Sequence, residues 1–415
     1  MLGVARNNLD RALLWSQRYT RTDMRYLARG GFWLLGGQGF QSLLALGTMS
    51  AFAYFATQET FGTYQYILSV ASIASIPALP GLNSALVRAV ARGHEETLLT
   101  VARARFQWSL IGSAILASTS AWYALNANLT LALSFGIVAI ILPFWRTGEL
   151  FPYFWQGRAD FRRATLLDGA SAAIPTAVLI GLIVGNAPIV LLMGLYLGVN
   201  AATRWLAYQY SKQNIITSAA DPEAVSLGRH LSLMGALKLA ADHLDKIILW
   251  HFLGPATVAI YTFALLPSQR LLSFLPIQEL ALPKISALGD RRESYRGLTR
   301  KFFLMVLALI PIVAFAVLAA PLLYQLIFPA YTESVPLFQA LALTALLVPF
   351  SLFESALLAQ NKKRPLYILQ IAPSVTRIVL YIALIPVLGV WGVVVATLAG
   401  ASLRAGFSSF FFKTL

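Results

Sequence analysis

The 415-residue chain contains no cysteine and only four histidines. Without cysteine, disulfide bonds, cysteine-ligated zinc and thiol-based catalysis are excluded. The four histidines are scattered and do not form a metal-ligand spacing. The sequence also has no Walker loop and no G-x-G-x-x-G motif after a strand, so it offers no nucleotide-binding domain that would support ATP-driven transport. No metal and no cofactor are expected.

Charge is also scarce. Charged residues make up 12% of the chain and hydrophobic residues 58%, whereas a soluble protein carries about twice that charge. Apolar runs of about 20 residues recur along the whole chain, which is the length that a transmembrane helix needs. These runs are too long for membrane-spanning strands. The sequence therefore predicts an all-α polytopic membrane protein of about twelve transmembrane helices.

The apolar pattern divides the chain into twelve predicted spans in two bundles of six. The spans are 32–55, 61–86, 106–125, 129–151, 164–185, 188–208, 231–253, 257–281, 302–327, 335–360, 365–387 and 390–412. The domain prediction is a basic N-terminal segment (1–29), a first bundle (30–208), a linker (209–230) and a second bundle (231–415). The first segment is not a secretory signal; an interfacial amphipathic helix and a disordered basic tail both remain open for it.

Acidic residues are outnumbered, with 17 Asp and Glu against 32 Lys and Arg. The excess is not spread evenly, because every second connection is basic and the alternate connections carry no Lys or Arg. This alternation is typical of the positive-inside rule, which explains the basic balance better than nucleic-acid binding does. It predicts that both termini are cytoplasmic. The expected location, which does not follow from the charge pattern, is the plasma membrane of a bacterium or archaeon.

A repeat relates the two predicted bundles. The segment "FATQETFGTYQY" (55–66) aligns with "FLGPATVAIYTF" (252–263) at an offset of 197 residues, and each copy lies at the turn between the first two spans of its half. Six spans per copy give both copies the same orientation in the membrane. The repeat therefore predicts two bundles related by a pseudo-twofold axis along the membrane normal.

The seventh predicted span carries four charges. Lys238, Asp242 and Asp245 share one narrow stripe at about 100° per residue, and Lys246 lies at its edge. A charge near the bilayer centre costs at least ~2.5–3.5 kcal/mol, so the stripe should face protein or water. The spacing predicts i,i+4 pairs between Asp242 and Lys238 or Lys246. Such pairs would only fix helix packing; the alternative is that the stripe lines a transport cavity.

Other polar residues at similar depth extend this hypothesis. They are Arg270, Arg377, Glu354 and Arg404 in the second half, and Gln38 and Gln41 in the first. Together with the stripe they predict a water-filled cavity with a cationic lining, charged mostly by the C-terminal half. Lys238, Lys246, Arg270, Arg377 and Arg404 would bind phosphate or pyrophosphate. Asp242, Asp245 and Glu354 would balance charge or couple an ion. Packing roles, and snorkelling for Glu354 and Arg404, remain alternatives.

Several segments carry a family resemblance. "LDKIILWHFLGPATVAIYTFALL" (244–266) resembles the turn between helices 7 and 8 of polysaccharide-type flippases in the multidrug/oligosaccharidyl-lipid/polysaccharide exporter superfamily, and "FGTYQYILS" (61–69) resembles the matching turn of the first half. "LALPKISAL" (280–288) and "LLAQNKKRPLY" (357–367) are similar to the ends of helices 8 and 10. The chain departs from the family at Ala259, where glycine is common.

The resemblance implies a V-shaped pair of six-helix bundles around a central cavity. It implies that a polyprenyl-pyrophosphate-linked oligosaccharide is flipped to the outer leaflet by alternating access, coupled to an ion gradient. Gln38 and Gln41 would face the sugars. Membrane lipids, and polysaccharide polymerase or export machinery, would be the partners, and nucleic acid would not. The rivals are a drug exporter of the same superfamily, which calls for an acidic and aromatic cavity, and a membrane glycan polymerase or transferase. The short external loops argue against an enzyme.

Overall fold

The computed structural model describes residues 24–273, 292–360 and 363–413, which form helices joined by short turns and loops and contain no strand. The helices of the first half are α1 (Met24–Phe55), α2 (Gln58–Ala74), α3 (Leu82–Ala91), α4 (Thr97–Leu125), α5 (Leu129–Gly148), α6 (Phe151–Gly157), α7 (Phe161–Val184) and α8 (Ile189–Gln213). Those of the second half are α9 (Ala224–Leu253), α10 (Pro255–Ser273), α11 (Arg292–Ile327), α12 (Val335–Ala342), α13 (Ser351–Ala359), α14 (Lys363–Leu388) and α15 (Val390–Lys413).

Each of the twelve predicted spans contains helix, although the span at 257–281 continues beyond the described residues. Within the described chain, seven helical segments are long and apolar enough to cross a membrane, or eight if the bent α2–α3 pair is one span. The remaining predicted spans are also helical but are more polar; α9, for example, carries the charged stripe. The predicted N-terminal segment 1–29 lies almost wholly outside the described residues, and α1 begins at Met24, before the predicted start of the first span.

The helices form two groups that follow the chain. In the first half α4 packs on α5, α5 on α8 and α1 on α7; in the second, α14 packs on α15 and α9 on α14. The halves meet mainly where α2 contacts α10 and where α9 contacts α2 and α3. The internal repeat aligns α2 with α10, and these two corresponding helices pack against each other. The all-α, two-bundle architecture predicted from the sequence is confirmed.

The end of the molecule predicted to be extracytoplasmic is closed by apolar contacts between the halves. Phe61 and Phe263 lie 4.8 Å apart between ring centroids, and Phe263 stacks on Tyr331 at 3.5 Å. Gly62 approaches the backbone of Pro255 so closely that an added Cβ atom would lie 1.8 Å from the carbonyl oxygen. We call these five residues the outer seal. A glycine is required here because no side chain fits between the two helices.

The connection between the halves is shorter than predicted, because α8 continues to Gln213 and α9 begins at Ala224. It is held to the first half by Glu95, which is buried. The Glu95 carboxylate accepts hydrogen bonds from Nε of Arg158 at 2.7 Å, from Nη2 of the same residue, and from the backbone N–H groups of Ile216 (2.7 Å) and Thr217 (3.3 Å). The linker therefore belongs structurally to the first bundle.

This contact predicts a pH-dependent contribution to stability. Burial alone would raise the pKa of the Glu95 carboxyl, but the hydrogen bonds from Arg158, Ile216 and Thr217 outweigh it and hold the pKa below the ordinary value of 4.5. The stabilisation is therefore complete above the ordinary value and is lost as the pH falls through the lower folded-state value. Glu95→Gln should lower the free energy of unfolding by about 2 kcal/mol at neutral pH.

Unfolding of the purified protein, followed by tryptophan fluorescence at neutral and at acidic pH, measures this difference. We expect the gap between wild type and Glu95→Gln to close below the carboxyl pKa. Glu96→Gln is the matched control, because the Glu96 side chain forms no ion pair with the described residues. A gap of equal size at both pH values would show that charge on Glu95 is not what holds the linker.

Candidate substrate cavity

A cavity of about 770 Å³ lies between the two halves. Its volume is within the range of about 300–1,000 Å³ typical of ligand pockets. The polar residues that line it in the described part of the chain are Gln38, Gln41, Ser72, Ser75, Asn83, Arg105, Arg146, Glu149, Tyr153, Gln156, Thr165, Asp168, Arg204, His243 and Arg270. Four guanidinium groups thus face two carboxylates, a formal excess of two positive charges. A cationic wall with many hydrogen-bonding groups suits an anion that also carries hydroxyls.

Arg105 lines the cavity and also contacts a break in the second span. The sequence "SIPALPG" (75–81) interrupts α2 and α3, which meet at an angle of 51°, because each proline removes a backbone donor. Leu79 lies in the break with φ of 57°. The guanidinium of Arg105, which is 2% exposed, donates from Nη2 to the Leu79 carbonyl oxygen (3.0 Å) and to Oδ1 of Asn83 (2.8 Å). Because the Leu79 carbonyl also accepts from the backbone N–H of Leu82 at 3.0 Å, Arg105 adds a second hydrogen bond at the break and links it to α4.

A second polar cluster joins α1, α7 and α8. Asp168 accepts a hydrogen bond from Nε2 of Gln41 at 3.2 Å and lies 3.8 Å from Nη1 of Arg204. Arg204 also donates from Nε to Oδ1 of Asn200 at 2.9 Å. These contacts hold the Arg204 guanidinium at the cavity wall while its charge is only loosely paired. A ligand anion could therefore approach it without first breaking a tight ion pair.

The first half, not the second, supplies most of the charged residues in the described cavity wall. Five of the six charged lining residues belong to it, and Arg270 is the one from the second half. The prediction that the C-terminal half charges the cavity is therefore wrong for the described chain. A signal was present, because Arg146, Glu149 and Asp168 lie inside predicted spans, where an ionisable residue is itself a functional indication.

The predicted cavity residues divide into two sets. Gln38, Gln41 and Arg270 line the cavity. Of the other predicted ligands, Lys238 is exposed and Lys246 is buried, and neither has an ion-pair partner within 4.0 Å among the described residues. Arg377 and Arg404 likewise lie outside the described cavity wall and form ion pairs. The ligand and ion-coupling roles assigned to these residues stay predictions.

Asp242 meets an arginine from another helix. Its Oδ1 accepts from Nη1 of Arg377 at 2.7 Å, and Arg377 also donates to the Ala241 carbonyl (3.2 Å) and from Nε to the Tyr381 hydroxyl (3.0 Å). The predicted i,i+4 pairs with Lys238 and Lys246 do not form. Pairs along one helix contribute only about 0.2–0.5 kcal/mol, so a direct charge-assisted bond from α14 prevails. Gly400 of α15 leaves room for the Arg377 stem, since its added Cβ would lie 2.4 Å from Cγ.

The remaining predicted acidic residues are also engaged. Asp245, 1% exposed, accepts from the Tyr261 hydroxyl and from the backbone N–H of Lys246, both at 2.7 Å. Glu354 accepts two bonds from Arg404, at 2.8 Å from Nε and 2.7 Å from Nη2. This fork-to-fork geometry fixes α13 against α15. The acidic members of the predicted site thus hold helices of the second half together.

The family can now be identified. The family described as "Polysaccharide biosynthesis protein" matches residues 27–288, more than half of the chain. The chain belongs to this family. A comparison with curated proteins gives no match.

Solved structures of low sequence identity share the fold. The lipid II flippase MurJ, in an inward closed conformation, is 14% identical with a TM-score of 0.68, over 93% of this chain and 87% of that chain. An inward-facing multidrug resistance MATE family transporter of the MOP superfamily is 18% identical with a TM-score of 0.65, over 90% and 94%. A MOP superfamily transporter from Pyrococcus furiosus is 16% identical with a TM-score of 0.58, over 94% and 95%. The polysaccharide family resemblance seen in the sequence is confirmed by the family match, and the chain shares the fold of these transporters.

Proposed function

We propose that this polysaccharide biosynthesis protein flips a polyprenyl-pyrophosphate-linked oligosaccharide from the cytoplasmic to the outer leaflet of a plasma membrane. The observation that carries the proposal is the cavity between the halves, with four arginines, two carboxylates and several amide and hydroxyl groups in its described wall. Guanidinium groups match the pyrophosphate, and the amides and hydroxyls match sugar hydroxyls. The family assignment and the fold shared with a lipid II flippase support this reading.

The mechanism proposed is alternating access. In the described conformation the halves touch at the outer seal, through the Phe61–Phe263 contact and the close approach of Gly62 to Pro255. In the proposed mechanism this contact closes the cavity at that end. By the charge rule the closed end is extracytoplasmic, so this state would receive substrate from the cytoplasmic leaflet. Separation of the seal would then expose the cavity outward, with an ion gradient as the energy source. Both termini would be cytoplasmic, with polymerase or export machinery as candidate partners.

Neutralising a cavity arginine tests the proposal. Arg146→Gln and Arg270→Gln should each weaken binding of the lipid-linked oligosaccharide by about 10- to 100-fold, because a charge-assisted hydrogen bond contributes about 1.5–3 kcal/mol. Arg103→Gln is the matched control, since Arg103 is an exposed arginine that is not part of the described cavity wall. Binding is measured on purified protein, and flipping in liposomes through access of an external glycosidase to a fluorescent substrate.

The outcomes separate the candidate functions. Protein-dependent flipping that falls in Arg146→Gln and Arg270→Gln and not in the control Arg103→Gln is the expected result. Efflux of organic cations without any glycolipid flipping would instead assign the protein to the drug-exporter branch. Equal losses in all three variants would mean that the cavity charge is not what recognises the substrate.

A further inference from the structure

The face that α9 turns toward the cavity is not its charged stripe. Leu239 and His243, which are one helical turn apart, line the cavity from α9, while Asp242 is paired with Arg377 of α14. His243 lies outside the stripe, so the sequence pattern favours a packing role for it. Among the described residues of the second half, the cavity wall consists of Leu239, His243 and Arg270. His243 is therefore the neutral polar group that α9 presents there.

Three buried side-chain nitrogens of the described cavity residues lack a hydrogen-bond partner. They are Nε of Arg105 and Nε of Arg146, from the first half, and Nδ1 of His243, the one that the second half contributes. Arg146 and His243 line the same cavity from different halves, and Arg146 is held there by an ion pair between its Nη1 and Oε2 of Glu149 at 3.1 Å. Buried polar atoms normally have partners, and each exception calls for an explanation, such as a ligand that supplies the missing bond.

The chemistry of these groups restricts what could satisfy them. A guanidinium only donates hydrogen bonds, whereas a neutral imidazole both donates and accepts. A phosphate oxygen only accepts, so it suits Arg146 and leaves the acceptor of His243 unused. A hydroxyl donates one bond and accepts others, which matches both residues. The four cavity arginines already provide donors for an anion, and His243 adds an acceptor that none of them has.

We propose that His243 binds a hydroxyl of the glycan that is attached to the polyprenyl pyrophosphate, and so contributes to recognition of the sugar from the second half. The inference rests on the proposed function and adds the part of the substrate that α9 contacts. Because Arg146 belongs to the first half, a hydroxyl held by both residues would also bridge the two bundles while the outer seal is closed.

The test compares two lipids that differ only in the sugar: a polyprenyl-pyrophosphate disaccharide and the sugar-free polyprenyl pyrophosphate. His243→Leu should weaken binding of the disaccharide lipid about tenfold, because it leaves a sugar hydroxyl unpaired, and should leave the sugar-free lipid unchanged. His251→Leu is the matched control, because His251 is an exposed histidine on the same helix that is not part of the described cavity wall.

Amide variants distinguish a binding role from a packing role. Asn places its amide near the position of Nδ1 and Gln near that of Nε2, so His243→Asn or His243→Gln should restore part of the affinity that His243→Leu loses. Equal weakening of both lipids, or affinity loss that neither amide restores, would overturn the glycan contact. If His243→Leu kept wild-type affinity for both lipids, His243 would have only a packing role, and the flippase proposal would still stand. Failure of the wild type to bind either lipid would reject the proposed function itself.

Discussion

Gly62→Ala is expected to prevent closure of the outer seal and to lower flipping by at least tenfold. The added methyl group would lie 1.8 Å from the Pro255 carbonyl oxygen and 2.5 Å from its carbon. Both are backbone atoms, so the clash cannot be relieved by a change of rotamer. Overpacking of this kind costs about 1–3 kcal/mol or more, and the cost falls on the closed state, in which α2 touches α10. The population should therefore shift toward the state open at this end.

Because the chain has no cysteine, a single introduced thiol can report this shift. Ala259 is fully buried and lies one helical turn after Pro255 on α10, so Ala259→Cys should react with a membrane-impermeant maleimide only when the seal opens. Labelling should rise in the Gly62→Ala background. Gly47→Ala is the matched control, since its added Cβ meets only Cδ1 of Ile180 at 4.0 Å. Unchanged labelling together with normal flipping in Gly62→Ala would mean that the α2–α10 contact is not a gate.

Asp242→Asn is expected to destabilise the second bundle by about 2–3 kcal/mol. The substitution removes the negative charge that faces Arg377, whose side chain is only 18% exposed, and leaves a largely buried cation without its counter-charge. Breaking a fully buried pair costs about 3–5 kcal/mol, and the lower figure here reflects the 38% exposure of the Asp242 side chain. Chemical unfolding of the purified protein, followed by tryptophan fluorescence, measures the difference.

A double-mutant cycle assigns the effect to the pair. Arg377→Gln should be similarly destabilising, and the double variant should cost less than the sum of the two single changes, because the two groups are in direct contact. Lys238→Gln should change stability by less than about 0.5 kcal/mol, as expected for an exposed side chain. If Lys238→Gln cost as much as Asp242→Asn while Arg377→Gln were neutral, the pair along α9 would be the real one.

The charged stripe of α9 shows how much a sequence pattern can predict. That Lys238, Asp242 and Asp245 share one face of a helix follows from 100° per residue, and that the buried members must meet polar partners follows from the cost of burying charge. The partners themselves are on α14 and α10, more than 130 residues away for Arg377 and 16 residues away for Tyr261. No local spacing encodes such a choice, so the prediction of i,i+4 pairs was wrong.

For the stripe, the sequence predicted the wrong partners; for the cavity, it missed charged residues of the first half. Arg146, Glu149, Asp168 and Arg204 stand in predicted spans, but the sequence reading gave weight to the second half because its charges cluster on one short helix segment. In the structure the charges of the first half come from four different helices and converge on one wall. Single residues that come together from separate helices are far apart in the sequence, so they form no local cluster that would indicate a site.

The all-α membrane architecture, the places of the helices, the repeat and the family could all be predicted from the sequence. These depend on apolar length, charge alternation and recurring short motifs, which act locally along the chain. Three features depend on how the helices pack and could not be predicted: Arg105 supports the break in the second span, Gly62 lies in the outer seal, and His243 faces the cavity where the charged stripe of α9 does not. The physical reason is that a helix has several faces, and the packing of its neighbours determines which one meets protein and which one meets the cavity.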